Sequence, residues 1–200
     1  ESKNMAGVAH FLEHMLFEGT KKRKSSREIA NEIEKYGAEF NAYTTGDRTA
    51  FFIKIISKRF DKALDILSDM IANPVFDKDV IEKEKQVILK EINMVTDDSR
   101  LHQWVLFQKT LFEKHPAKNP TYGTVETVKS FDRKHVSGYY FDHYIPNNMI
   151  ISVVGNVSNV KQKIEKYFGM LEPKKLLKRA KVSEPKQAKA KKIVEKKEIL

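Results

Sequence analysis

The chain has 200 residues, no cysteine and a net charge of +10, from 37 Lys/Arg against 27 Asp/Glu. That length suits one globular domain with a sizeable core, or one domain plus a tail. The missing thiols exclude disulfides and thiolate ligands without fixing the compartment, and no apolar run is long enough for a transmembrane helix.

The chain opens at Glu1 rather than a methionine and enters an apolar segment, Met5 to Phe17, almost at once, so it reads as a piece of a longer protein. Helical periodicity predicts one helix here, stopped by Gly19-Thr20. Val8, Phe11, Leu12, Met15 and Leu16 make its stripe, which leaves His10, Glu13, His14 and Glu18 as nearly its only polar side chains. On a helix, His10 and His14 stand one turn apart on the same face, so two ring nitrogens can reach one metal ion. Glu13 lies close enough to act on a water there. His-Phe-Leu-Glu-His is the H-x-x-E-H pattern of the inverzincins, the inverse of the zinc-protease H-E-x-x-H. The bland alternative is a polar stripe turned to solvent or tied up in internal hydrogen bonds.

Ser25 to Glu28 reads as a capping box opening a second helix, Arg27 to Tyr36, stopped by Gly37. The period then changes to two: residues 38–44 and 49–56 are predicted strands joined through Thr45-Gly46-Asp47-Arg48. A helix from about Arg59 to Ala72 breaks at Asn73-Pro74.

The next helix, capped by Asp77 and running to about Val95, carries an apolar stripe of Val80, Ile81, Val87, Ile88, Ile92 and Val95. Glu84 and Glu91 fall inside that stripe, two turns apart, whereas Glu82, Lys83, Lys85, Gln86, Lys90 and Asn93 take the solvent face. Carboxylates on a buried face need a partner, either a cation of the protein or a metal. Two histidines leave a catalytic zinc site one protein ligand short, and these carboxylates are the candidates to complete it.

Further helices are expected over Ser99–Glu113, Val125–Phe131, Arg133–His143 and Val160–Phe168, with a loop from His115 to Tyr122. The turn Pro146-Asn147-Asn148 feeds a predicted buried strand, Met149 to Val154. His102, His115, His135 and His143 lack ligand spacing and read as structural or surface residues. Several helices around a few strands give an α+β class, a largely antiparallel or mixed sheet packed against helices. Residues 173–200 hold eleven Lys/Arg and three Glu, a net +8, which leaves only +2 on the other 172 residues. A nucleic-acid-binding domain spreads its charge over a face of the fold, whereas this Lys/Ala/Pro-rich tail reads as a solvated linker. The domain is therefore expected over 1–172 and the linker over 173–200.

His10-Phe11-Leu12-Glu13-His14, flanked by Met5 to Ala9 and by Met15 to Thr20 and followed later by Glu91, resembles the pitrilysin/insulinase metallopeptidases. That family includes the mitochondrial processing peptidase β-subunit and many bacterial zinc proteases. Asn41 to Thr44, Lys83 to Ile92 and Asn147 to Asn156 match as well, so the likeness covers most of the chain. The resemblance implies a metallohydrolase half-domain in which His10, His14 and Glu91 bind a single zinc ion. It also implies that Glu13 is the general base, that Glu84 supports the metal site, and that Asn41 and Ala42 line a strand edge for an extended peptide substrate. It further implies opening strands upstream of Glu1 and a second, similar, metal-free half after Leu200, fused or as a partner subunit.

The expected activity is zinc-dependent endopeptidase hydrolysis of extended peptides or unfolded polypeptides, with no nucleic-acid partner and no membrane span. Three other readings compete. Two His and a carboxylate also suit non-haem iron oxygenases, against which a poised Glu13 argues for hydrolysis. A non-catalytic, substrate-presenting subunit on the same fold normally lacks motif residues that are intact here. A nucleic-acid module acting through the tail would bind with strong salt dependence.

Overall fold

The computed structural model describes residues 1–177 and 181–196. Among them the chain forms eight α-helices and one two-stranded antiparallel sheet, so the α+β expectation holds. The first helix, α1, spans Val8–Phe17, and a short 3₁₀ turn over Lys3–Met5 replaces the start expected at Met5. Val8, Phe11, Leu12, Met15 and Leu16 are fully buried. A helix this apolar has to be enclosed by neighbours. Around it stand α3 (Phe60–Ala72), α4 (Lys78–Asp97), α6 (Val125–Ser130) and α7 (Arg133–His143), which contribute Ile71, Ile81, Ile88, Ile92, Val128, Val136 and Tyr140 to one core.

Both ends of α1 are pinned. At the start, Gly7 has φ +91°, and a Cβ there would sit 2.6 Å from Gly123 Cα and from the Tyr122 carbonyl. Only glycine permits this approach. Thr127 Oγ1 donates to the Ala6 carbonyl at 2.8 Å, and the Glu1 carboxylate accepts from the Gly7 and Ala9 N–H groups at 2.9 and 2.8 Å. Those are helix-start donors that otherwise lack partners. Beyond the other end, Thr20 bridges to Pro74 and its hydroxyl donates to Asp69 at 2.6 Å. Arg23, buried with 3% of its side chain exposed, reaches Glu32, Asp65 and Asp69, each at 2.7 Å.

Helix α2 (Ser26–Glu34) starts where its cap predicts: Ser25 accepts from the Glu28 N–H. Glu28 reaches back to the Lys24 N–H rather than to that of Ser25, a variant of the expected box. The hairpin β1 (Glu39–Thr44) and β2 (Thr49–Lys54) pairs Thr44 with Thr49 beside the turn. Phe17, Phe40, Phe51 and Ile53 pack it over a second core of Ile29, Ile33, Ile66 and Met70. Asp77 caps α4 and Asp98 caps α5 (Ser99–Leu111), and α8 (Val160–Phe168) lies against α3.

Three expectations need correction. Residues 149–154 form no strand, and Ile150 and Val154 are each 96% exposed. Their β-branched composition fits a strand, but a strand exists only through ladder pairing, and the sole named sheet among the described residues is β1–β2. Lys85, placed on the solvent face, is buried, and its ammonium reaches Glu82 at 2.6 Å. Glu91, placed on a buried face, keeps 39% of its side chain exposed. Of the tail expected over 173–200, residues 178–180 and 197–200 lie outside the described residues. The rest has no helix or strand, and Glu184 accepts from the backbone N–H groups of Lys114 and His115 at 3.0 and 2.7 Å.

Candidate metal centre

Helices α1 and α4 cross so that His10 and His14 face Glu84 and Glu91. The two imidazoles stand edge to face, ring centroids 4.8 Å apart. His10 Nε2 and His14 Nε2 both converge on one oxygen, Glu91 Oε2, at 3.7 and 3.6 Å. These separations exceed a hydrogen bond, and one atom from each of the three residues lies within 4.8 Å of the others. Tetrahedral zinc, with ligand distances near 2.0–2.2 Å, sets its donor atoms roughly 3.3–3.5 Å apart. The donor set of two imidazole nitrogens and one carboxylate oxygen therefore fits such an ion in chemistry; the two His–Glu91 separations are close to its spacing, and the trio as a whole, within 4.8 Å, would draw in slightly around it.

Glu84 has another place. Its side chain is 6% exposed, and its Oε2 lies 3.1 Å from His14 Nδ1. With Nδ1–H donating to Glu84, His14 Nε2 is left as a lone pair directed at the cluster. His10 Nδ1 is buried and has no hydrogen-bond partner among the described residues.

Burial, followed by the neighbouring His14, pulls His10 down to about 4, so its imidazole is neutral near pH 7. For His14 burial is also the largest influence and opposes the charged form. The Glu84 hydrogen bond and the carboxylates of Glu91, Glu84 and Glu13 outweigh it, and the net direction is upward. The surrounding field thus favours a positive charge at this point.

Glu13 stands outside the converging trio. Its Oε2 accepts a hydrogen bond from Thr44 Oγ1 on β1. Burial raises its carboxyl above the ordinary range; the Thr44 hydrogen bond and His14 pull it back in part, and Glu91 adds to the rise. A cleft beside it is lined by Glu13, His14, Phe17, Glu18, Asn41, Ala42 and Glu84. Asn41 and Ala42 therefore reach the same site, but differently. Ala42 is half-buried towards the cleft, whereas Asn41 is exposed and its Oδ1 accepts from the Ala42 N–H at 2.8 Å.

The sequence reading missed Thr44 and Glu18. Alternation along β1, which puts Phe40, Ala42 and Thr44 on one side, was the signal for the first. Glu18 was seen only as a polar end to α1; in the fold it lines the cleft and pairs with Lys83 at 3.3 Å. The other histidines lie apart from the cluster: His135 pairs with Asp132 at 2.7 Å, His143 Nδ1 donates to the Tyr139 carbonyl at 2.9 Å, and His102 pairs with Glu195 in the basic segment at 3.0 Å.

Residues 1–125 match the family described as Insulinase (Peptidase family M16), and residues 130–199 match the Peptidase M16 inactive domain. An uncharacterized zinc protease of Bacillus subtilis is 38% identical over 177 residues, covering 87% of this chain and 42% of that protein. A probable mitochondrial-processing peptidase subunit beta of Arabidopsis thaliana is 35% identical over 176 residues, 86% of this chain and 32% of its own length. Among solved structures, a protease from Helicobacter pylori superposes with a TM-score of 0.88 at 27% identity, covering 92% of this chain and 46% of that one. The first half of the periplasmic protease PqqL from Escherichia coli gives 0.78 at 25% identity, over 90% and 40%. The chain thus spans about two-fifths of the length of its first curated relative. With the family profile covering residues 1–125, the chain belongs to the insulinase family of peptidases, family M16.

Proposed function

We propose that this chain is the catalytic half of a zinc metalloendopeptidase that hydrolyses extended peptides or unfolded polypeptides. The observation that carries the reading is the convergence of His10 Nε2, His14 Nε2 and Glu91 Oε2, with Glu13 beside that trio and outside it. Relatives named as zinc proteases support the choice of metal. Residues 1–172 form the peptidase domain, and 173–200 form a basic linker towards a second, homologous half or partner subunit.

His10, His14 and Glu91 would hold a single zinc ion, which supplies Lewis acidity to the scissile carbonyl and acidity to a water. Glu84 fixes the tautomer and ring orientation of His14. Glu13, made more basic by burial, takes a proton from the attacking water and delivers it to the leaving amine nitrogen. The products are a carboxylic acid and an amine. Strand β1 offers the substrate platform. Backbone pairing alternates, and the Ala42 N–H is held by Asn41 rather than by β2, so it faces the open edge. An extended peptide docking there by β-augmentation takes over that N–H from Asn41.

The test is peptide cleavage by the full-length protein, with chelator and with zinc restored. Activity should vanish on chelation and return with zinc. Glu13→Gln should keep zinc and lose on the order of 10²–10⁴-fold in rate. Chelator-insensitive cleavage, or zinc loss in Glu13→Gln, contradicts the assignment.

A further inference from the structure

Thr44 is the last residue of β1 and Thr49 the first of β2, and they face each other directly across the hairpin. Thr44 Oγ1 donates to Glu13 Oε2 and lies 3.1 Å from Thr49 Oγ1. A threonine hydroxyl has one proton. With that of Thr44 given to Glu13, Thr49 must donate to Thr44, and the lone pairs of Thr49 remain open to another donor. Beside Thr49 lies the Tyr144 hydroxyl, buried and without a hydrogen-bond partner. The two threonine hydroxyls are thus ordered so that each proton points towards the Glu13 carboxylate, and such chains polarise in the same direction.

We propose that Thr44, backed by Thr49, is a positioning residue that holds the Glu13 carboxylate outside the His10–His14–Glu91 trio and aimed at the cleft. The inference rests on the reading of Glu13 as the base. Thr44 is one pleat along from Ala42 on the same side of β1, so one strand carries both the substrate edge and the hydroxyl that orients the base. A carboxylate next to a metal site competes to become a ligand unless something else claims an oxygen. Thr44 claims it.

The test uses the full-length, zinc-loaded protein with Thr44→Val, Thr44→Ser and Glu13→Gln, reading kcat, KM, zinc affinity by chelator competition, and thermal unfolding. Thr44→Val keeps the shape and removes the hydroxyl. It should lower kcat ~10–100-fold, the scale for groups that orient a site's working residues, with KM, zinc stoichiometry and Tm unchanged. Thr44→Ser should restore most of the loss, and Thr49→Val should fall between wild type and Thr44→Val. Unchanged kcat in Thr44→Val, with Glu13→Gln inactive, overturns the inference and leaves the reading of Glu13 standing. Full activity in Glu13→Gln means that reading itself fails. Zinc loss or a lower Tm in Thr44→Val, or no recovery in Thr44→Ser, shows a purely structural role and also overturns the inference.

Discussion

Arg23 offers the sharpest test of how the fold holds the helix of the candidate metal centre. Its guanidinium is buried and meets three carboxylates, Glu32, Asp65 and Asp69, each at 2.7 Å, and Asp69 also accepts from Thr20 at 2.6 Å. Arg23→Gln removes the cation and leaves Asp69, 7% exposed, without its charge partner. Breaking a buried ion pair by removing one partner costs about 3–5 kcal/mol, a large share of a domain's ~5–15 kcal/mol. For a chain of this size that corresponds to a fall in Tm of roughly 6–20 °C. The effect should depend on pH. The Arg23 hydrogen bond is the main cause lowering the Glu32 carboxyl; for Asp65, hydrogen bonds from Lys22 and Arg23 overcome the upward pull of burial. Depressed carboxyls stabilise the fold above their unfolded-state values, ~4, and that stability is lost as pH falls through the folded values. The difference between wild type and Arg23→Gln should therefore be fullest at neutral pH and shrink below about pH 4. Urea unfolding of the full-length protein across that range is the assay. A difference under ~1 kcal/mol at neutral pH, or one that is flat with pH, refutes the reasoning.

The two carboxylates of α4 should separate by role. Glu91→Gln removes a proposed ligand and should abolish zinc binding, whereas Glu84→Gln leaves the ligands in place and should weaken metal affinity or activity ~10–100-fold; equal zinc loss in both, read by metal titration, would show the distinction is wrong. Gly7→Ala should destabilise far more than Gly37→Ala. Both glycines have positive φ and so share the backbone strain of ~1–2 kcal/mol, but only at Gly7 does the new Cβ meet backbone at 2.6 Å, while at Gly37 nothing lies within 4 Å. Matched denaturation curves settle this, and equal losses would mean that the contact with Gly123 gives way freely.

What the sequence made legible was what local chemistry determines. Asp77 before α4 and Ser25 before α2 are side chains that satisfy helix-start donors, so those starts fall where the residues place them. The four-residue spacing in α1 forces His10 and His14 onto one face whatever surrounds the helix. Non-local relations stayed hidden. Residues 149–154 have a strand's composition, but a strand is a relation to a neighbour, and composition does not name the neighbour. Lys85 shows the same limit: helical period places it, and only the fold decides whether it is covered. At the site the division runs between two kinds of residue. Those of the proposed metal centre are ionisable groups set among apolar ones in the sequence, conspicuous because burying such groups has to be compensated, even though Glu91 keeps 39% of its side chain exposed in the fold. Thr44 and Thr49 carry no such signature, since a threonine in a strand needs no explanation. They matter only because the hairpin register places one opposite the other and the packing of β1 on α1 brings Glu13 to them. The groups proposed to react are therefore legible from their cost, whereas those proposed to aim them are legible only from the fold.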